Sequence, residues 1–251
     1  MAHFEAEIIL LCVRWYLRYS LSYRDLEEMM LERGLHMDHT TIYRWVQYSA
    51  PEIDKRSRPH LKACNDSWRV AETYIKVKKV WMYLYRVVDS EGNTLEFLLS
   101  STRDAEAAKR FFLKALHSPT GSAPQAPAVE EQVEELTAAA NPATSALRVI
   151  TVDKNAAYPK AMAELKASGV LPEAVELRQV KYLNNIVEQD HRFVKRLVKP
   201  WMDFFSFETA GRTLQGYEVM NMIRKGQVRG MGKGNITGQV SFIACLFGMA
   251  A

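Results

Sequence analysis

The sequence predicts an α/β protein: a mixed sheet with helices on both faces, preceded by a small helical domain. Three observations carry that expectation. Residues 67–99 hold three closely spaced runs rich in Val, Ile, Tyr, Trp and Thr, joined by short polar turns. After them, helical and strand-like patterns alternate as far as about residue 225. Before them, apolar residues recur at helical spacing between capping and turn signals.

In that first region, a helix over Glu5–Tyr19 puts Ile8, Ile9, Cys12, Trp15 and Tyr16 on one side. Ser22 and Asp25 have capping-box spacing, and the helix they open buries Leu26, Met29 and Met30. Gly34 ends it, because glycine accepts the left-handed conformation of a helix end. Asp38 caps a third helix running to about Tyr48. Ile42, Trp45 and Val46 face inward there, and His39, Thr40, Tyr43, Arg44 and Gln47 outward. Helix, glycine turn and second helix is the helix-turn-helix order, whose second helix enters the major groove of DNA. An ordinary three-helix satellite has the same pattern. Residues 51–65 read as a basic linker with Lys55, Arg56, Arg58 and Lys62, either a solvated connector or a segment that tracks DNA backbone.

The core is expected over 66–200. Trp68–Val77, Val80–Val88 and Thr94–Leu99 form an antiparallel meander, followed by a helix over Asp104–Leu116. Residues 118–146, rich in Ala, Pro, Ser and Glu, read as a surface insert. A strand ending at Asp153, a helix over Tyr158–Ser168, a strand over Val175–Val180 and a helix around Glu188 complete the core. Residues 201–251 form a helical, basic extension, with an aromatic loop at Trp201, Phe204, Phe205 and Phe207 that reads as core or subunit contact. The order β-β-β-α-β-α-β-α is the ribonuclease-H-like layout, which sets the first strand centrally, beside the strand carrying Asp153.

The candidate chemistry lies on two acids. Asp153 ends the β-branched run Val149-Ile150-Thr151-Val152, and Glu188 stands on an amphipathic helix 35 positions later. If that strand and helix are neighbours, both carboxylates can face one metal site. Hard cations such as Mg²⁺ take few carboxylates and keep positions for water and phosphate oxygens. Two such ions ~3.5–4 Å apart can activate an attacking oxygen and stabilise the leaving one. An acid on the first strand would complete the set.

The sequence resembles the DDE transposases of bacterial insertion sequences, in insertion-sequence family six. The resemblance rests on Trp68–Val77, Trp81–Arg86, Thr151–Asn155, Arg178–Asn185, Glu188–His191 and Met222–Gln227, with Ser22–Leu26 and Thr41–Trp45 in the helix-turn-helix. It implies that Ala71, Asp153 and Glu188 occupy the three catalytic positions, with Asp153 and Glu188 as ligands and two Mg²⁺ or Mn²⁺ ions in an intact enzyme. It implies binding to terminal inverted repeats in double-stranded DNA, metal-dependent 3′-end cleavage and strand transfer by a replicative route, and a homodimer. The family has aspartate where this chain has Ala71, and a methyl group cannot bind a cation. Glu72 is a poor substitute, because successive strand side chains point to opposite faces. A chain that binds DNA but does not cut it is therefore expected: a knockout of an otherwise whole enzyme, or a silent repressor of element ends. A ribonuclease-H-like nuclease without strand transfer fits the helix-turn-helix and the acid spacing less well.

Around those positions, Lys154, Lys181, Arg192, Lys195 and Arg196 are candidate phosphate contacts, and each also fits an ordinary basic surface. His191 lies near Glu188 on the helix: it either orients a metal-bound water or a DNA phosphate, and so is a candidate DNA contact, or is structural. From Arg178 onward there are 11 Lys/Arg against five Asp/Glu, which suits a polyanionic partner. Three cysteines (Cys12, Cys64 and Cys245) without C-x-x-C spacing argue against disulfide or zinc frameworks. With no long apolar run and no leader pattern, a bacterial or archaeal cytoplasmic, nucleoid-associated protein without membrane contact is expected.

Overall fold

The computed structural model describes residues 4–118, 147–180, 185–198 and 204–249. Apart from Ser118, the insert expected at 118–146 lies outside the described residues, as do Lys181 and Trp201. The chain forms two compact units. One takes in Met1–Leu61, Ile75–Val80 and Arg192–Ala251; the other takes in Lys62–Tyr74 and Trp81–His191. None of the described helices is long and apolar enough to cross a membrane.

The first unit is helical. Its N-terminal helices are α1 (Ala6–Arg18), α2 (Tyr23–Leu31) and α3 (His39–Ser57). The capping box is present: Asp25 N donates to Ser22 Oγ at 2.8 Å, and Ser22 N to Asp25 Oδ2 at 2.7 Å. Gly34, at φ +75°, closes α2; its amide donates to the Leu31 carbonyl and that of Leu35 to Met30.

Two sequence expectations need correction here. α3 does not end near Tyr48 but runs through Pro51 to Ser57, followed by a 3-10 turn at Arg58–His60. The basic linker is therefore mostly helix. An interior proline costs about 3 kcal/mol. Burial of Ala50, Ile53 and Ser57, with the i,i+4 pairs Glu52–Arg56 and Asp54–Arg58, offsets it.

The second concerns the C-terminal extension, which joins the N-terminal helices in one unit instead of standing as a separate stretch. The reason is α7 (Phe207–Lys225), which is buried from Gly216 through Ile223 without a break. A helix buried all round must be enclosed, and α1, α3 and α8 (Ile236–Leu246) pack against it. At the crossing, a Cβ on Gly216 would lie 2.7 Å from Ala50 Cβ and 2.5 Å from Leu17 Cδ2. Only glycine lets the helices approach this closely.

The second unit is built on a five-stranded sheet in the order β3-β2-β1-β4-β5, with β1 Ser67–Val77, β2 Val80–Asp89, β3 Thr94–Ser100, β4 Val149–Val152 and β5 Glu176–Gln179. β2 and β3 are antiparallel, whereas β4 runs parallel to both β1 and β5. β1 is central and beside β4, as expected. α4 (Ala105–Leu116) and α5 (Ala157–Ala167) cover one face, where Phe111, Phe112, Tyr158 and Met162 pack on Trp68, Val70, Tyr85 and Ile150. On the other face, Val187 of α6 (Asn185–Val198) meets Ala71 and Val88.

Candidate active site

Ala71 occupies the middle of β1, 8% exposed. The parallel register pairs Arg69 with Thr151, so two residues on Ala71 comes level with Asp153, just past the end of β4. Ala71 also packs against Val187, with Ile186 beside it, and Glu188 is the next residue, exposed on α6. Ala71 is thus level with Asp153 across the β1–β4 register and packs against the α6 residue that precedes Glu188.

The orientation of α6 follows from a buried ion pair. Arg86, fully buried on β2, donates through Nη2 to Asp190 Oδ2 at 2.6 Å, and Thr94 Oγ1 lies 3.3 Å from the same oxygen. Asp190 therefore faces the sheet, where it is bound to β2 through Arg86. His191, 4% exposed, also turns inward, so the structural reading of it holds and its expected place among DNA contacts does not.

Glu72 points to the opposite face from Ala71. It pairs with Arg103, accepts from Tyr158 Oη at 3.1 Å, and lies 3.3 Å from Asn155 Nδ2. Arg103 Nη2 reaches on to Asp153 Oδ2 at 3.6 Å, while Asp153 Oδ1 accepts from Asn155 N at 3.0 Å. Burial pulls the Arg103 guanidinium down, but the hydrogen bond and charge of Glu72 outweigh it and leave it raised. Burial, then the charges of Glu72 and Asp153, push the Tyr158 hydroxyl well above the usual tyrosine range. Sequence reasoning missed Arg103 and Tyr158 because both reach Glu72 from other elements, and no local spacing records such a contact.

These residues do not fit a two-ion site as they stand. Position 71 offers a methyl group, and a guanidinium already sits beside Asp153. Among the described residues, the one group of three candidate ligand atoms within 4.8 Å of one another is elsewhere, at Glu27, Asp38 and His39.

The expected DNA contacts divide on α3. Thr40 and Arg44 are exposed, and Tyr48, 74% exposed, continues their row at i+8. His39 is half-buried, its Nδ1 3.1 Å from Glu27 Oε2. Tyr43 meets Tyr23 and Phe205 edge-on. Gln47 corrects the expectation: it is buried and donates to Thr213 Oγ1 at 2.8 Å. A cavity of about 660 Å³ lies among Tyr16, Tyr23, Tyr43, Phe204 and Tyr217. Arg58 is likewise withdrawn, buried against Asp54 at 2.8 Å. Arg56 is exposed, pairs with Glu52 and lies over the Phe247 ring. Lys154, Arg192, Lys195 and Arg196 are exposed.

The likeness to known proteins agrees with this geometry. A family model described as a DDE domain matches residues 65–227. The chain is 37% identical over 223 residues to the transposase for insertion sequence-like element IS431mec of Staphylococcus aureus Mu50, covering 88% of this chain and 86% of that one. It matches the transposase for insertion sequence element IS257 in transposon Tn4003, also of Staphylococcus aureus, at the same identity and coverage. Among solved structures, the HTLV-2 integrase catalytic core in complex with magnesium aligns at 12% identity and a TM-score of 0.41, over 70% of this chain and 94% of that one, too distant to bear on function. With a DDE-domain match over residues 65–227 and relatives along most of its length, the chain belongs to the DDE transposases of bacterial insertion sequences.

Proposed function

We propose that this chain holds the ends of its element in double-stranded DNA but does not cut or join them. The observation that supports the reading is Ala71, level with Asp153 and packed against α6, at the position where the family resemblance implies a third carboxylate. An aspartate there would complete the set expected to hold two Mg²⁺ or Mn²⁺ ions. Thr40, Arg44 and Tyr48 form the exposed row of α3 that suits a DNA groove, and the basic residues of α6 suit phosphates. Two chains acting together would hold two ends, which is the reason to expect a homodimer.

The test compares this chain with Ala71→Asp in Mg²⁺ or Mn²⁺, on DNA ending in the element's inverted repeat. Strand transfer by the Ala71→Asp form alone is the expected result. Transfer by the unaltered chain would refute the silent reading. Binding without transfer in both forms would point to a silent repressor of element ends, a reading that Ala71 itself favours.

A further inference from the structure

Among the described residues, the sheet face covered by α4 and α5 is exposed at one end. Tyr74, two residues beyond Glu72 on the same side of β1, is 49% exposed, and Trp81 at the start of β2 is 58% exposed. Tyr74 meets Trp81 edge-on, with centroids 6.3 Å apart at 83°, and Tyr83 at 5.4 Å and 54°. A nucleobase stacks on an aromatic ring face. Clustered aromatic side chains half in water mark an interaction surface.

This cluster is continuous with the acid site. Arg103, which pairs with Glu72 and lies 3.6 Å from Asp153, is near enough to Tyr74 for the two to interact electrostatically. The exposed Lys154 follows Asp153 directly. Aromatic rings beside basic groups are what an unpaired nucleic-acid strand requires: rings for its bases, cations for its phosphates.

We propose that Tyr74, Trp81 and Tyr83 form a stacking platform for an unpaired base of a DNA strand at this site, with the exposed Lys154 beside its backbone. This rests on the transposase reading of the site. Drawing a nucleotide out of a duplex costs a few kcal/mol, and stacking on an aromatic side chain returns ~1–3 kcal/mol per base. The platform would thus help the strand end reach the acids.

The test is fluorescence anisotropy with a short labelled single-stranded oligothymidine and, separately, a duplex of equal length. Trp81→Ala and Tyr74→Ala should each weaken single-strand binding roughly tenfold and leave duplex binding unchanged. Trp81→Phe, which keeps a ring, should retain most of the affinity. Unchanged single-strand binding in both alanine variants would overturn the platform, as would an equal loss of single-strand and duplex binding. If instead Trp81→Ala shifts sedimentation to a smaller species at unchanged oligothymidine affinity, the patch is a contact between copies and the proposal falls. Failure of the parent chain to bind duplex DNA at all would remove the proposed end-holding function, and the platform with it.

Discussion

At residue 71 a methyl group stands where, on the proposed reading, a carboxylate would complete the acid set. The neighbouring Glu72 cannot compensate, since its side chain, 4% exposed, is turned to the α4 and α5 face and held by Arg103 and Tyr158. Glu72→Ala takes the acceptor from the buried Tyr158 hydroxyl and should destabilise the fold by about 1–3 kcal/mol, read as a shift of the urea midpoint at constant slope. The α3 residues permit a sharper comparison. Arg44→Ala should weaken duplex binding and lower the slope of log affinity against log salt by about 1, with the urea midpoint unmoved. Gln47→Ala should do the reverse, because its amide is spent on Thr213. A salt slope that changes with Gln47 and not with Arg44 would contradict the orientation of α3.

At the scale of elements, α6 delivers Glu188 only because Asp190 anchors it to Arg86, which has no exposed side-chain surface. Asp190→Ala takes that carboxylate from a buried guanidinium and should cost about 3–5 kcal/mol, with faster hydrogen exchange along α6 than along α4. The α7 crossing gives a second case. Gly216→Ala puts a methyl group 2.7 Å from Ala50 Cβ and should cost about 1–3 kcal/mol through overpacking, although alanine is the better helix former. If Gly216→Ala raised the melting temperature, helix propensity would outweigh the close approach.

Across the whole molecule, buried tyrosines set an alkaline limit. Burial raises the hydroxyls of Tyr16, Tyr23, Tyr217 and Tyr158 above the ordinary value of about 10. Because the folded pKa exceeds the unfolded one, this contribution to stability is complete below pH 10 and is lost as pH rises through the folded values. Thermal midpoints should therefore fall steeply above about pH 10, with tyrosinate absorbance from these groups appearing together with unfolding. Tyrosinate absorbance from all 11 tyrosines at pH 10, with the fold intact, would contradict it.

Alternating apolar runs, capping pairs and turn glycines are local signals. For that reason the strands from Trp68 to Leu99, the Ser22–Asp25 cap, the Gly34 stop and the strand ending in Asp153 were all legible in the chain. The departure proposed at Ala71 comes instead from a family pattern read position by position. Only the tertiary structure decided which polar groups lose their water. Gln47 read as outward-facing because helical spacing gives an angle around an axis but not the neighbour waiting there, and Arg58 read as part of an open linker. α7 and Asp54 supply neighbours for Gln47 and Arg58, and His191 turns into the interior. Long-range packing likewise carried α3 through Pro51, since the burial that offsets a proline comes from distant residues. The Arg103–Glu72–Tyr158 contacts, assembled from β1, α5 and the approach to α4, had no local pattern to announce them.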